Sequence, residues 1–114
     1  HLNPLVALTE ETVIVTALEG RECVNIARAS SPKTIQFVGW IGRRTPLHCT
    51  ASSKIFLAYA PEQARASLLP DSLARFTANT IVDLPTLEQC LAQVRSQGYA
   101  IVHGEYEEGF SEIA

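Results

Sequence analysis

Apolar and polar positions alternate in the first third of the chain and then fall at helical spacing. Residues 12–18, TVIVTAL, are β-branched and apolar; EGR can turn, and 22–29, ECVNIARA, read as a returning strand, so a hairpin is expected. TIQFVGW, 34–40, predicts a third strand. The pattern then changes. SSKIFLAYA is apolar on nearly all sides at Ile55, Phe56, Leu57, Ala58 and Tyr59, which suits a short, largely buried helix. Pro61 opens a further helix, PEQARASLL, because its missing N–H is an orphan at a first helical position anyway.

The clearest helix is 83–98, DLPTLEQCLAQVRSQG. Leu84, Leu87, Leu91 and Val94 share one face, while Glu88, Gln89, Gln93, Arg95 and Ser96 face away. Asp83 is placed to cap it, Pro85 sits in its first turn, and Gly98 stands where a left-handed C-terminal residue is wanted. YAIV then predicts a strand, HGEYEEG a turn, and FSEIA the opening of another strand. The order is α/β, more strictly α+β. A chain ending on the first residues of a strand is expected to be a fragment.

Composition narrows the function classes. At 114 residues, 46% hydrophobic and 18% charged, the chain suits one domain with a core of its own. A net charge of −3 argues against a nucleic-acid surface on this segment, since the nearest approach to a basic cluster is Lys33, Arg43, Arg44 and Lys54. Cys23, Cys49 and Cys90 are odd in number and irregularly spaced, as expected of reduced thiols in a cytoplasmic protein. No apolar run reaches the roughly 18 residues a membrane helix needs.

The chemistry concentrates in RRTPLHCTASSKIFLA, residues 43–58. As a catalytic site it is weak, because His48 adjoins Cys49 and neighbouring side chains on an extended segment point to opposite faces. His48, Cys49, His103 and Glu105 are metal-ligand types without CxxC or HxxxH spacing. As a helix start the stretch is more telling: Thr50, Ser52 or Ser53 can cap, and first-turn N–H groups can hold a carboxylate or another oxygen-rich molecule. Arg43 and Arg44 read as a solvated loop or interface edge, Lys54 as exposed, and Glu105, Glu107 and Glu108 as a solvated acidic turn.

Three blocks, GRRTPLHCTASSKIFLA, TANTIVDLPTLEQCLAQVRSQGYAI and GEYEEGFSEIA, taken in this order and spacing, resemble the effector-binding domain of IclR-type transcriptional regulators over most of residues 39–114. ALTEETVIVTALEGRECVNIARA fits the hairpin that precedes them, with Glu10 where glycine is usual. The resemblance implies a GAF-like antiparallel sheet flanked by helices, with residues 1–114 a partial effector-binding domain. It places a winged helix-turn-helix DNA-binding domain, and the final strands and helix, outside this chain. It implies sensing of a small-molecule effector, a metabolite with organic and aromatic acids among the candidates. Operator DNA would be reached only through the missing domain, in a homodimer or homotetramer without cofactor, catalytic residue or membrane contact.

By the same resemblance, the effector-binding positions are Phe37, Thr45, Ala51, Ser52, Val102, Phe110 and Glu112. Ser53 stands where glycine is common, His103 and Gly104 replace a usual acidic pair, and Val102 occupies a position that is polar in some carboxylate-sensing relatives. These departures favour an effector larger or less polar than a small oxoacid. The competing expectation is a small GAF-like enzyme or metal-binding protein that uses Cys49 and the histidines.

Overall fold

A computed structural model describes residues 1–31 and 40–114. The expected third strand at 34–40 and Phe37 lie outside the described residues. The expected hairpin forms: β1 (Val13–Glu19) pairs antiparallel with β2 (Glu22–Ala29), Glu19 opposite Glu22. Gly20 opens the two-residue turn at φ +61°, a left-handed conformation in which a side chain would be strained. The register jumps from Val15↔Ala27 to Thr16↔Asn25, leaving Ile26 as the extra residue of a β-bulge. A two-residue strand that the sequence pattern did not suggest, β3 (Arg44–Thr45), adds to β2, so that the sheet runs β1-β2-β3 among the described residues.

The helices follow the expected order. α2 covers Ala51–Tyr59, α3 Glu62–Leu68 and α4 Leu84–Gln97. Before the hairpin lies an unanticipated α1 (Asn3–Thr9), which buries no residue fully and ends on Glu10 at φ 59°, the left-handed conformation that explains why glycine suits that position. β4 (Ile101–His103) and β5 (Ser111–Ile113) form an antiparallel pair, Val102 opposite Glu112. The result is an α+β fold with antiparallel sheets and helices.

The main core lies between α2 and α4. Leu87, Leu91 and Val94 on α4 are buried with Leu57 and Ala58 of α2, and Leu47, Leu69, Leu73, Ala100 and Val102 close the cluster. Fully burying a leucine contributes about 1.5–3 kcal/mol, so this packing dominates the stability of the helical side. Asp83 accepts the Thr86 N–H at 2.9 Å, and Gly98 closes α4 at φ +86° with its N–H on the Val94 carbonyl, as the sequence predicts. Two expected apolar contacts are absent from the core: Leu84 and Tyr59 are exposed, at the first position of α4 and the last of α2, where the helix ends leave the packed face. Arg65 fastens α3 to α4 through the Glu88 carboxylate at 3.2 and 3.3 Å.

Candidate functional site

A cavity of about 560 Å³ opens between the start of α2, the β1–β2 hairpin, the β4–β5 turn and α1. Thr45, Ala51, Ser52, Val102, Phe110 and Glu112, six of the positions singled out in the sequence, all line it. They come from four separate stretches of chain, so folding brings them together. Val13, Ile14, Val102 and Phe110 supply apolar wall, and Thr16, Asn25, Tyr106 and Ser111 intersperse hydrogen-bonding groups.

The start of α2 is held by bonds within the chain itself. Of the three hydroxyls that could cap it, Thr50 does so: its Oγ1 accepts the Ser53 N–H at 3.2 Å, and Ser53 Oγ accepts the Thr50 N–H at 3.1 Å. This is a reciprocal capping box with serine in place of the usual acidic partner. Both residues are buried, and Ser52 stays outside this exchange with its side chain on the cavity wall.

The Ala51 N–H, expected to be open to a ligand, is already used. It donates to Glu112 Oε2 at 2.9 Å, so the chain places its own carboxylate at the positive end of the helix. Glu112 as a residue is open to solvent, yet its carboxylate sits where desolvation raises its pKa, opposed by the Ala51 N–H, by Arg43 and by Lys54. Glu105 adds to the raising.

Three readings of charged residues require correction. Lys54 is not exposed: its side chain is 1% accessible, and Nζ donates to both oxygens of Glu105 at 2.7 Å. Four-carbon reach lets a lysine on the first turns of α2 cross to the turn after β4. Glu105 is therefore a buried partner and not part of a solvated acidic turn; Thr77 and Thr80 hold that turn by donating to the Gly104 and Glu105 carbonyls. Arg43 faces the cavity, pairs with Glu107, and lies over the Trp40 and Tyr106 rings at 4.9 and 5.2 Å. Arg44 is the solvated one of the two, paired with Glu19 at 2.7 Å and Glu22 at 3.6 Å.

The residues of the enzyme or metal reading do not assemble. The Cys49 thiol is fully buried, and desolvation, with Glu105 and Glu112 nearby, pushes its pKa to about 12, so it is not the thiolate that nucleophilic or ligand chemistry needs. His48 is buried against Phe76, and its Nε2 donates to the Ala74 carbonyl at 2.8 Å. His103 bonds Ser111 through Nδ1 at 2.9 Å. Among the described residues, no group of three His, Cys, Asp or Glu side chains is disposed to hold a metal ion.

The sequence reading did not place Arg43, Glu105, Tyr106, Glu107 or Asn25 on the wall. Their partners lie far along the chain, and single-residue patterns carry no signal of such pairing.

The whole chain, residues 1–114, matches the model of the bacterial transcriptional regulator IclR C-terminal domain. The chain belongs to the IclR family. It is 34% identical over 114 residues to the HTH-type transcriptional repressor AllR of Escherichia coli strain K12, covering 99% of this chain and 42% of AllR. The crystal structure of Thermotoga maritima IclR superimposes with a TM-score of 0.92 at 32% identity, over 99% of this chain and 46% of that one. An Acinetobacter PobR inducer-binding domain, a double mutant in complex with 3-hydroxybenzoic acid, gives a TM-score of 0.87 at 29% identity, over 98% and 67%. The chain thus spans about two fifths of the length of the curated relatives it matches. Among the described residues, no helix is long and apolar enough to cross a membrane.

Proposed function

We propose that this chain is the effector-sensing part of a bacterial transcriptional regulator, that its cavity holds the effector, and that a winged helix-turn-helix domain elsewhere in the protein contacts operator DNA. The observation that carries the reading is the convergence of Thr45, Ala51, Ser52, Val102, Phe110 and Glu112 on one cavity of about 560 Å³. That volume lies in the range of small-molecule sites, which combine apolar walls with a few fixed polar groups. Val102, Phe110 and Tyr106 suit a ring, and the hydroxyls and carboxylates around them suit its polar substituents. The effector is then a ring-bearing organic molecule of the size of an aromatic acid. The complex of the PobR domain with 3-hydroxybenzoic acid supports that size class. The net charge of −3 supports the division of labour, because phosphate binding requires clustered cations, and Arg43, Arg44 and Lys54 are each engaged by carboxylates. The working protein is a cytoplasmic homodimer or homotetramer in which ligand occupancy alters operator affinity.

The test is a thermal-shift screen of the full-length protein against aromatic acids, amides and alcohols, followed by Ser52→Trp on each hit. A ligand that binds only the native state raises the melting temperature with the logarithm of its concentration. Ser52→Trp is expected to abolish the response while remaining folded, and Gln89→Trp, exposed on α4, is expected to respond as wild type. A Ser52→Trp protein that still responds fully would place the ligand elsewhere.

A further inference from the structure

We propose that Glu112 sets the polar specificity of the cavity: the ligand is a ring-bearing molecule whose polar head donates hydrogen bonds to that carboxylate, as an amide, hydroxyl or ammonium does, and not one presenting a bare carboxylate to the start of α2. The inference rests on the cavity being the effector site.

The cavity wall carries Glu11, Glu105, Glu107 and Glu112 against Arg43, with Lys54 behind it. Glu105 takes both short bonds from Lys54, and Glu107 takes Arg43. Among the described residues, the hydrogen bond to the Glu112 carboxylate is a backbone one, from the Ala51 N–H at 2.9 Å. It is thus the cavity carboxylate whose charge is offset by a helix end while the nearby cations are held by other acids. The thiols of Cys23 and Cys49 nearby, both pushed to about 12 by burial, are neutral and add no further negative charge.

The usual anion-binding capacity of a helix start is also reduced here. The Ala51 N–H is on Glu112 and the Ser53 N–H is on Thr50. A ligand carboxylate at that place would meet a like charge in a partly desolvated setting, whereas a donor group would meet a free lone pair. Val102 lies directly across the β4–β5 ladder from Glu112, so an apolar surface for the ring adjoins the acceptor for its head group. Burial, with Glu105 nearby, raises the pKa of Glu112 although the Ala51 N–H, Arg43 and Lys54 act to lower it.

Benzamide and benzoate are nearly isosteric and differ in donor and charge, which makes them the probes. Isothermal titration of the full-length protein is expected to show benzamide bound at least about tenfold more tightly than benzoate near neutral pH. Glu112→Gln keeps the size and an acceptor oxygen but removes the charge; it is expected to strengthen benzoate by about tenfold and to weaken benzamide by a smaller factor, because a charge-assisted hydrogen bond becomes a neutral one. Benzoate binding to wild type should also tighten as pH falls, because Glu112 takes up a proton to admit it, and Glu112→Gln should flatten that dependence. Arg43, Lys54, Glu105, Glu107 and Glu11 are unchanged between the two proteins, so the difference isolates Glu112. Equal affinities in wild type, unmoved by Glu112→Gln and abolished by Ser52→Trp, would overturn the specificity role and leave the cavity standing. Failure of both probes to bind either protein would overturn the inference together with the cavity reading.

Discussion

The two ends of α2 work by different physics. Its C-terminal half sets Leu57 and Ala58 against Leu87, Leu91 and Val94 of α4, an interface that needs only shape and area removed from water. Its N-terminal half holds Thr50 through the neighbouring Ser53 hydroxyl and sets Ala51 and Lys54 against carboxylates 61 and 51 positions away, Glu112 and Glu105. Apolar packing degrades gradually when an atom is lost. A buried pair does not, because removal of one member strands the other.

The largest expected effect tests that asymmetry. Lys54→Ala leaves Glu105 buried without its cation and should cost about 3–5 kcal/mol in urea denaturation. Lys54→Met with Glu105→Leu should cost clearly less than Lys54→Ala alone, whereas purely additive losses would show that the pair is not the unit. Leu91→Ala, on the apolar side, comes next at about 2–5 kcal/mol, with no rescue by any single partner substitution and unaltered ligand affinity in the folded fraction. An affinity loss there would mean that the two halves are coupled.

The smallest effect is a pH drift. The native pKa of Glu112 is raised above its ordinary 4.5, so the folded state binds the proton more tightly than the unfolded state does. The associated stability is present below that ordinary value and is lost as pH rises through the native one. Stability curves of wild type minus Glu112→Gln should fall across that window by a fraction of a kcal/mol. A difference that rises with pH would reverse the assigned sign.

The same contrast explains what the sequence revealed. The α4 helix was legible to the residue at both caps, because Asp83, Pro85 and Gly98 act through the local backbone and its apolar stripe repeats with the helix. The hairpin and α2 were legible for similar reasons. The α1 helix was not, since seven residues with no buried position and no side-chain cap leave little periodic trace. β3 is two residues long and owes its strand character to pairing with Cys23 and Val24. The candidate site residues came from a family resemblance, and the geometry gathers six of them on one wall. Lys54, Glu105 and Arg43 look solvated in the sequence, because charge is normally a surface signal and only the fold reveals a distant counter-charge.

The Thr50–Ser53 capping box has a consequence for how occupancy can be communicated. The wall at α2 holds itself in shape through bonds between its own residues, so a ligand arriving there orders no helix and loses little affinity to conformational entropy. A disorder-to-order transition of α2 is then a poor carrier of the message. On the proposed reading, filled and empty states differ by a rearrangement of partners already formed, and the Glu112–Ala51, Arg43–Glu107 and Lys54–Glu105 bonds at the cavity wall are candidates to carry it.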